Sequence, residues 1–177
     1  MQQPRFKEGS KFHDPGLNEM QKEAIGAFNK EVSERGLKKG KILLPCGVGK
    51  TAMALKLIIK RLRKRKIKNP KVLIVNCEKL TCWQWYECIR EHTTFPKAAV
   101  HVFGTGGKVS ENQCVVIITY AALAMDSTLM KPQTRALHKF IQSTRWDFTV
   151  LDECHHTGAT TWEEKVRNII DLSLIHI

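Results

Sequence analysis

A chain of 177 residues, 42% hydrophobic and 26% charged, is long enough for one domain with a real core and too short for two. No apolar run approaches the roughly 20 residues that span a bilayer, and no apolar stretch follows the basic residues of "MQQPRFKEGSKF", which argues against a membrane partner and a signal peptide. The formal net charge of +12 favours a polyanion partner, and the stretch "KRLRKRKIK" from Lys60 to Lys68 supplies seven of its cations.

In chain order, residues 1–13 form a polar N-terminal tail. "DPGLN" reads as a helix start, and Met20, Ala24, Ala27, Phe28 and Val32 then recur at helical spacing until Gly36. Ile42 to Leu44 is a short apolar strand. From Thr51 to about Arg65, Met53, Ala54, Leu57, Ile58 and Leu62 share one helical face, and Asn69-Pro70 breaks the pattern. Lys71 to Asn76 is a buried strand, Leu80 to His92 a helix, "AAVHVF" a strand, and "GTGG" a loop. Cys114 to Thr119 is strand-like, Pro132 to Ser143 a helix, Asp147 to Asp152 a strand, and Trp162 to Ile170 a last helix. Short apolar strands alternating with amphipathic helices define an α/β fold, a mostly parallel sheet with helices on both faces. Ligands of such sheets bind beyond the carboxyl ends of the strands. The six cysteines include no C-x-x-C pair, which fits a reduced, intracellular compartment.

The segment "KILLPCGVGKT" leaves a strand, curls through Pro45, Cys46, Gly47, Val48 and Gly49, and enters a helix at Lys50 and Thr51. Glycines let the backbone turn its N–H groups onto a phosphate chain, and the helix start presents the positive end of its dipole. Lys50 would reach the outer phosphates and Thr51 would hold Mg²⁺. The literal pattern G-x-x-x-x-G-K-[ST] fails at Leu44, so the strand–loop–helix context carries the reading. About a hundred residues on, "FTVLDECHH" ends another strand in two carboxylates. Asp152 would bind Mg²⁺, and Glu153 would polarise an attacking water. Cys154, His155 and His156 have no second ligand pair at zinc spacing. His155 reads as a polar contact coupling the nucleotide site to its surroundings.

"LPCGVGKT" and "LDECH" resemble motifs I and II of superfamily 2 helicases and translocases, the DEAD/DEAH-box type. "VLIVNCEKLTCWQWYECI" is similar to motif Ia, "VVIITYAAL" and "RWDFTVLDECH" extend the likeness, and the xeroderma pigmentosum B type is the nearest pattern. The resemblance implies a RecA-like P-loop NTPase domain that uses ATP and Mg²⁺, acts on nucleic acid with DNA favoured over RNA, and works in a multi-subunit complex, nuclear in a eukaryote. By position, Lys50, Thr51, Asp152 and Glu153 would bind and hydrolyse Mg-ATP. Gln21 falls where the family reads adenine, although "NEMQ" replaces its usual "RPYQ"-like run. Thr119 would touch the nucleic-acid backbone. Cys77-Glu78 replace motif Ia's proline and hydroxyl residue, and Glu78 would repel a phosphate, which passes that contact to Lys79 or to backbone N–H groups. Thr105, Gly106 and Lys108 are further backbone-contact candidates. Trp83 and Trp85 are candidates for base stacking, at least one of them belonging to the core.

The domain spans 14–171. The family completes its cleft with a second RecA-like domain, whose arginine is worth about 10³ to 10⁵ in rate, so the chain alone is expected to turn ATP over poorly. Residues 172–177, "LSLIHI", match the translation of CTG-TCT-CTT-ATA-CAC-ATC, a transposon end attached during library preparation. They read as adaptor-derived, with the natural chain continuing past about Asp171. The other reading is an apolar strand. Two rivals to an ATP-dependent motor stay open: a non-catalytic nucleotide- or nucleic-acid-binding module, and a fragment of an ATP-driven restriction or remodelling motor.

Overall fold

The structure, a computed structural model, describes residues 3–8, 18–34, 40–41, 49–105, 108–152 and 174–176. In chain order the main elements are α1 (Glu19–Glu34), β1 (Gly40–Lys41), α2 (Lys50–Lys64), β2 (Val72–Asn76), α3 (Lys79–His92), β3 (Val100–Val102), β4 (Val115–Thr119), α4 (Tyr120–Leu123), α5 (Pro132–Ser143), β5 (Phe148–Leu151) and β6 (Leu174–His176). Among the described residues the sheet has six strands in the order β1-β6-β5-β2-β4-β3, and every neighbouring pair is parallel. This is the α/β architecture expected from the alternation of strands and helices.

Strands β2, β4 and β5 are aliphatic runs buried along their whole length, as parallel strands covered on both faces must be. Their side chains alternate between two cores. Val72, Ile74, Val115, Ile117, Phe148 and Val150 pack with α1, α2 and α3. Leu73, Val75, Val116, Ile118 and Leu151 pack with α4 and α5 through Tyr120, Leu123, Leu137 and Ile141. Asn76 is in register with Thr119, and Val75 with Leu151, so the three central strands finish together at one edge.

Local chemistry sets the helix ends. Asn18 and Gln21 form a reciprocal capping box at α1: the Gln21 N–H donates to Asn18 Oδ1 at 2.9 Å, and the Asn18 N–H to Gln21 Oε1 at 3.0 Å. Helix α2 stops in a Schellman arrangement. The Ile67 N–H donates to the Leu62 carbonyl and the Lys66 N–H to the Arg63 carbonyl, both at 3.0 Å, and Lys66 adopts φ 54, where glycine is usual. Arg61, Arg63 and Lys64 in the last turn suit the negative end of the helix dipole.

Several boundaries depart from the sequence reading. The strand expected at Ile42–Leu44 and the helix at Trp162–Ile170 lie outside the described residues. The strand read as "AAVHVF" shortens to β3, because Lys97–Ala99 form a 3₁₀ turn after Pro96. Helix α4 was not anticipated: the Thr119 hydroxyl accepts the Ala122 N–H at 3.2 Å and turns the end of β4 directly into a helix. Part of the polar tail is tied down rather than free. The Lys7 N–H donates to the His92 carbonyl, the Thr94 N–H to the Arg5 carbonyl, and Pro4 is buried. Residues Leu174–His176, set apart on sequence grounds, fill the slot between β5 and β1. A parallel slot is held by main-chain bonds and accepts any short run of β-forming residues.

Candidate nucleotide site at the strand-end edge

Helix α2 begins at the edge where the strands finish, since it must return the chain to the start of β2. Gly49 is its N-cap at φ 79, ψ 37, a left-handed conformation that glycine adopts without strain. A Cβ placed there would lie 2.6 Å from Gln21 Nε2, the end of a side chain that would have to shift, so the left-handed backbone angle is what calls for glycine. Gly49 supplies no side-chain cap, and no carboxylate occupies the first turn of α2. A helix start carries the positive end of the helix dipole. Lys50 and Thr51, the first helical residues, are both half-buried.

Asp152 follows β5 at the same edge. Its N–H donates to the Val75 carbonyl at 2.9 Å, which extends the sheet by one residue, and the side chain is buried. One carboxylate oxygen, Oδ2, accepts the Trp85 indole N–H at 2.8 Å. The Tyr120 hydroxyl donates to the Asp152 carbonyl at 3.3 Å. The indole N–H satisfies that buried carboxylate oxygen, and the tyrosine holds the main chain beside it. Beside it, Asn76 Nδ2 donates to Cys82 Sγ at 3.6 Å, while Asn76 Oδ1 is buried with no partner among the described residues. The Cys82 thiol is pushed up to about 11. Burial is the main cause; the Asn76 hydrogen bond opposes it, and Cys77 and Asp152 add to it. Cys82 is therefore an inert thiol at neutral pH.

Gln21 is a buried capping residue whose amide lies close to Gly49, which the sequence pattern alone did not separate from an exposed helix position. The signal was present as Asn18-x-x-Gln21, a capping-box spacing. Trp85 is fully buried and Trp83 is 45% exposed, so of the two tryptophans only Trp83 offers a ring to a ligand. Trp83 stands edge-on to Tyr86 at 5.5 Å, with Leu80 66% exposed one turn before it and Lys79 exposed at the start of α3. The buried set Cys82, Trp85, Ile89 and His92 follows helical spacing and shows which way Trp85 points, but nothing in the sequence names Asp152 as its partner. Thr119 is buried with its hydroxyl engaged at α4. The Thr105 hydroxyl donates to the Val102 carbonyl at 2.9 Å, and Lys108 is exposed. Pro45, Cys46, Gly47, Val48, Gly106, Glu153 and His155 lie outside the described residues. Among the described residues no cluster of three metal-ligating side chains occurs, and no helix is long and apolar enough to cross a membrane.

A parallel sheet, a helix start behind a left-handed glycine, and a buried aspartate closing β5 fit the RecA-like α/β class. The chain belongs to the family described as "Type III restriction enzyme, res subunit", which matches residues 14–175. It is 25% identical over 142 residues to the general transcription and DNA repair factor IIH helicase/translocase subunit XPB of Antonospora locustae. That match covers 79% of this chain and 20% of the relative, so the chain spans about a fifth of the relative's length. Among solved structures it resembles the Sulfolobus solfataricus SWI2/SNF2 ATPase core in complex with dsDNA, with a TM-score of 0.61 and 19% identity over 90% of this chain and 31% of that one. The Pyrococcus furiosus Hef helicase domain gives a TM-score of 0.56 and 22% identity over 84% of this chain and 31% of that one.

Proposed function

We propose that this domain is the nucleotide-binding half of an ATP-dependent nucleic-acid motor, a helicase or translocase acting on DNA. The observation that carries the reading is the pairing, on one sheet edge, of an α2 start with no cap of its own and a buried Asp152 held by an indole. The residues fit Mg-ATP. Gly49 leaves a cradle that a Cβ would fill, Lys50 and Thr51 open α2 beside it, and the Asp152 carboxylate is buried at the same edge. When bound, Mg²⁺ neutralises charge on the phosphates.

In this reading the α2 N–H groups and Lys50 hold the phosphate chain, with Pro45, Cys46, Gly47 and Val48 wrapping it. Thr51 and Asp152 would hold the metal, Glu153 would take the proton of the attacking water, and His155 would link the site to its surroundings. Gln21 packs against the loop from α1 and stands at the base side. On the nucleic acid, Lys79 and the exposed Trp83 lie on the outer face of α3, and Thr105, Gly106 and Lys108 follow β3. Thr119 serves by capping α4 and fixing the edge on which those contacts sit. A second RecA-like domain of the whole protein completes the cleft and supplies the charge that speeds phosphoryl transfer. Partner subunits of the kind named for the curated relative, and a nuclear location in a eukaryote, accompany this reading.

The test is ATP hydrolysis by the full-length protein with and without DNA or RNA, beside a Lys50→Ala variant. The expected result is nucleic-acid stimulation that K50A removes. No stimulation by any duplex or single strand overturns the motor reading and favours a non-catalytic binding module.

A further inference from the structure

The basic run has no place in that site. Helix α2 covers about 22 Å from Lys50 to its last turn, and the chain then turns through Lys66 and Ile67 to reach the start of β2. The Lys71 N–H donates to Asp147 Oδ2 at 2.9 Å, which ties this turn to the start of β5. Lys60–Lys68 therefore lies at the edge where the strands begin, opposite the nucleotide edge. Arg145, exposed just before β5, lies on the same side.

Three features set this run apart from an ordinary solvated helix end. Lys60, Arg63, Lys64, Arg65, Lys66 and Lys68 are all exposed, and among the described residues none of them is in an ion pair. Lys60 with Lys64, and Arg61 with Arg65, repeat like charge at i,i+4 on one helix, an unfavourable arrangement that an ordinary surface relieves with carboxylates. Burial and the neighbouring Arg65 lower the Arg61 pKa, another sign of cations crowded together. The cluster is also rigid. Ile59 and Leu62 are buried between the cations, the Arg61 guanidinium lies 5.0 Å from the Phe28 ring centre, and that of Arg65 lies 5.9 Å from that of Phe148. An import receptor that reads an extended basic peptide would have to pull Ile59 and Leu62 out of the core. A row of cations on successive helical turns, about 5–6 Å apart, instead suits a regular line of phosphates.

We propose that the edge where the strands begin is a second polyanion-binding surface, shaped for the phosphodiester backbone of nucleic acid and separate from the nucleotide site. The surface needs neither nucleotide nor magnesium, so the proposal goes beyond the motor reading and stands or falls without it. Contact is sequence-independent and made by charge, and its affinity falls steeply with salt.

The test compares the full chain with a variant carrying K60Q, R63Q, K64Q, K66Q and K68Q, all at exposed positions. Nucleotide-free binding to a short labelled DNA duplex is followed by anisotropy across a salt series, with circular dichroism to confirm folding. Each lost phosphate contact flattens the plot of log affinity against log salt by about 0.9. The expected result is a slope shallower by about 3 units and affinity at low salt reduced at least tenfold. A milder K64Q/K66Q pair, should the larger variant fail to fold, flattens the slope by about 1 to 2 units. Unchanged slope and affinity overturn the proposal. So does a chain that ignores DNA while binding phosphatidylserine vesicles or an import receptor through these residues.

Discussion

Strand β5 has a charge near each end. At its start, Arg65 lies over the Phe148 ring among exposed cations; at its finish, Asp152 is buried and receives an indole N–H. The first charge belongs to a crowd that water and ions can screen, and altering one member changes little. The second is a buried carboxylate, held in place by the neighbour that donates to it. The two edges of one sheet thus separate two tasks, a diffuse field at one and a defined polar geometry at the other.

That contrast can be broken most sharply at Gly49. Gly49→Ala places a Cβ at φ 79 and against the Gln21 amide. It should cost about 2 kcal/mol, chiefly from backbone strain, and abolish nucleotide binding. Chemical denaturation and titration with a fluorescent nucleotide measure both. A G49A chain that binds normally would mean that the helix start does not hold phosphate. Trp85→Phe keeps the ring in the core and removes the donor to Asp152. Loss of a bond to a charged group predicts a stability drop of about 2 kcal/mol and about tenfold more Mg²⁺ for half-saturating nucleotide binding. Unaltered magnesium dependence would reduce Trp85 to a packing residue. The smallest change sharpens the other side of the comparison. Lys66→Gly relieves the left-handed lysine at the end of α2 and should stabilise the chain by about 1 kcal/mol. Nucleotide binding should stay as it was, because the turn lies at the opposite edge. A destabilised K66G chain would mean that the Lys66 side chain holds the turn in place.

The architecture was legible because its signals are local. β2, β4 and β5 are continuous apolar runs, and the α2 pattern from Met53 to Leu62 repeats with the helix period. The start of α2 at Gly49 and Lys50, and the end of β5 before Asp152, were legible for the same reason. What the sequence hid was pairing across distance. Trp85 and Asp152 are 67 residues apart, and Gln21 meets Gly49 across two elements. The pinning of Arg5 and Lys7 beside His92 and Thr94 spans more than eighty residues. Composition shows that such residues are polar or aromatic, and only the folded chain shows which of them meet. Helix α4 was missed for a different reason: four residues are too few to show a period.

Helix α3 holds two indoles on opposite sides, Trp83 turned outward and Trp85 turned inward onto the carboxylate. A helical rod resists compression over so short a span. If a strand of nucleic acid pulls on the outer ring, the inner one must shift too, and the bond at Asp152 stretches or tightens with it. The fold thus contains one short helical segment that joins an exposed ring to a buried carboxylate.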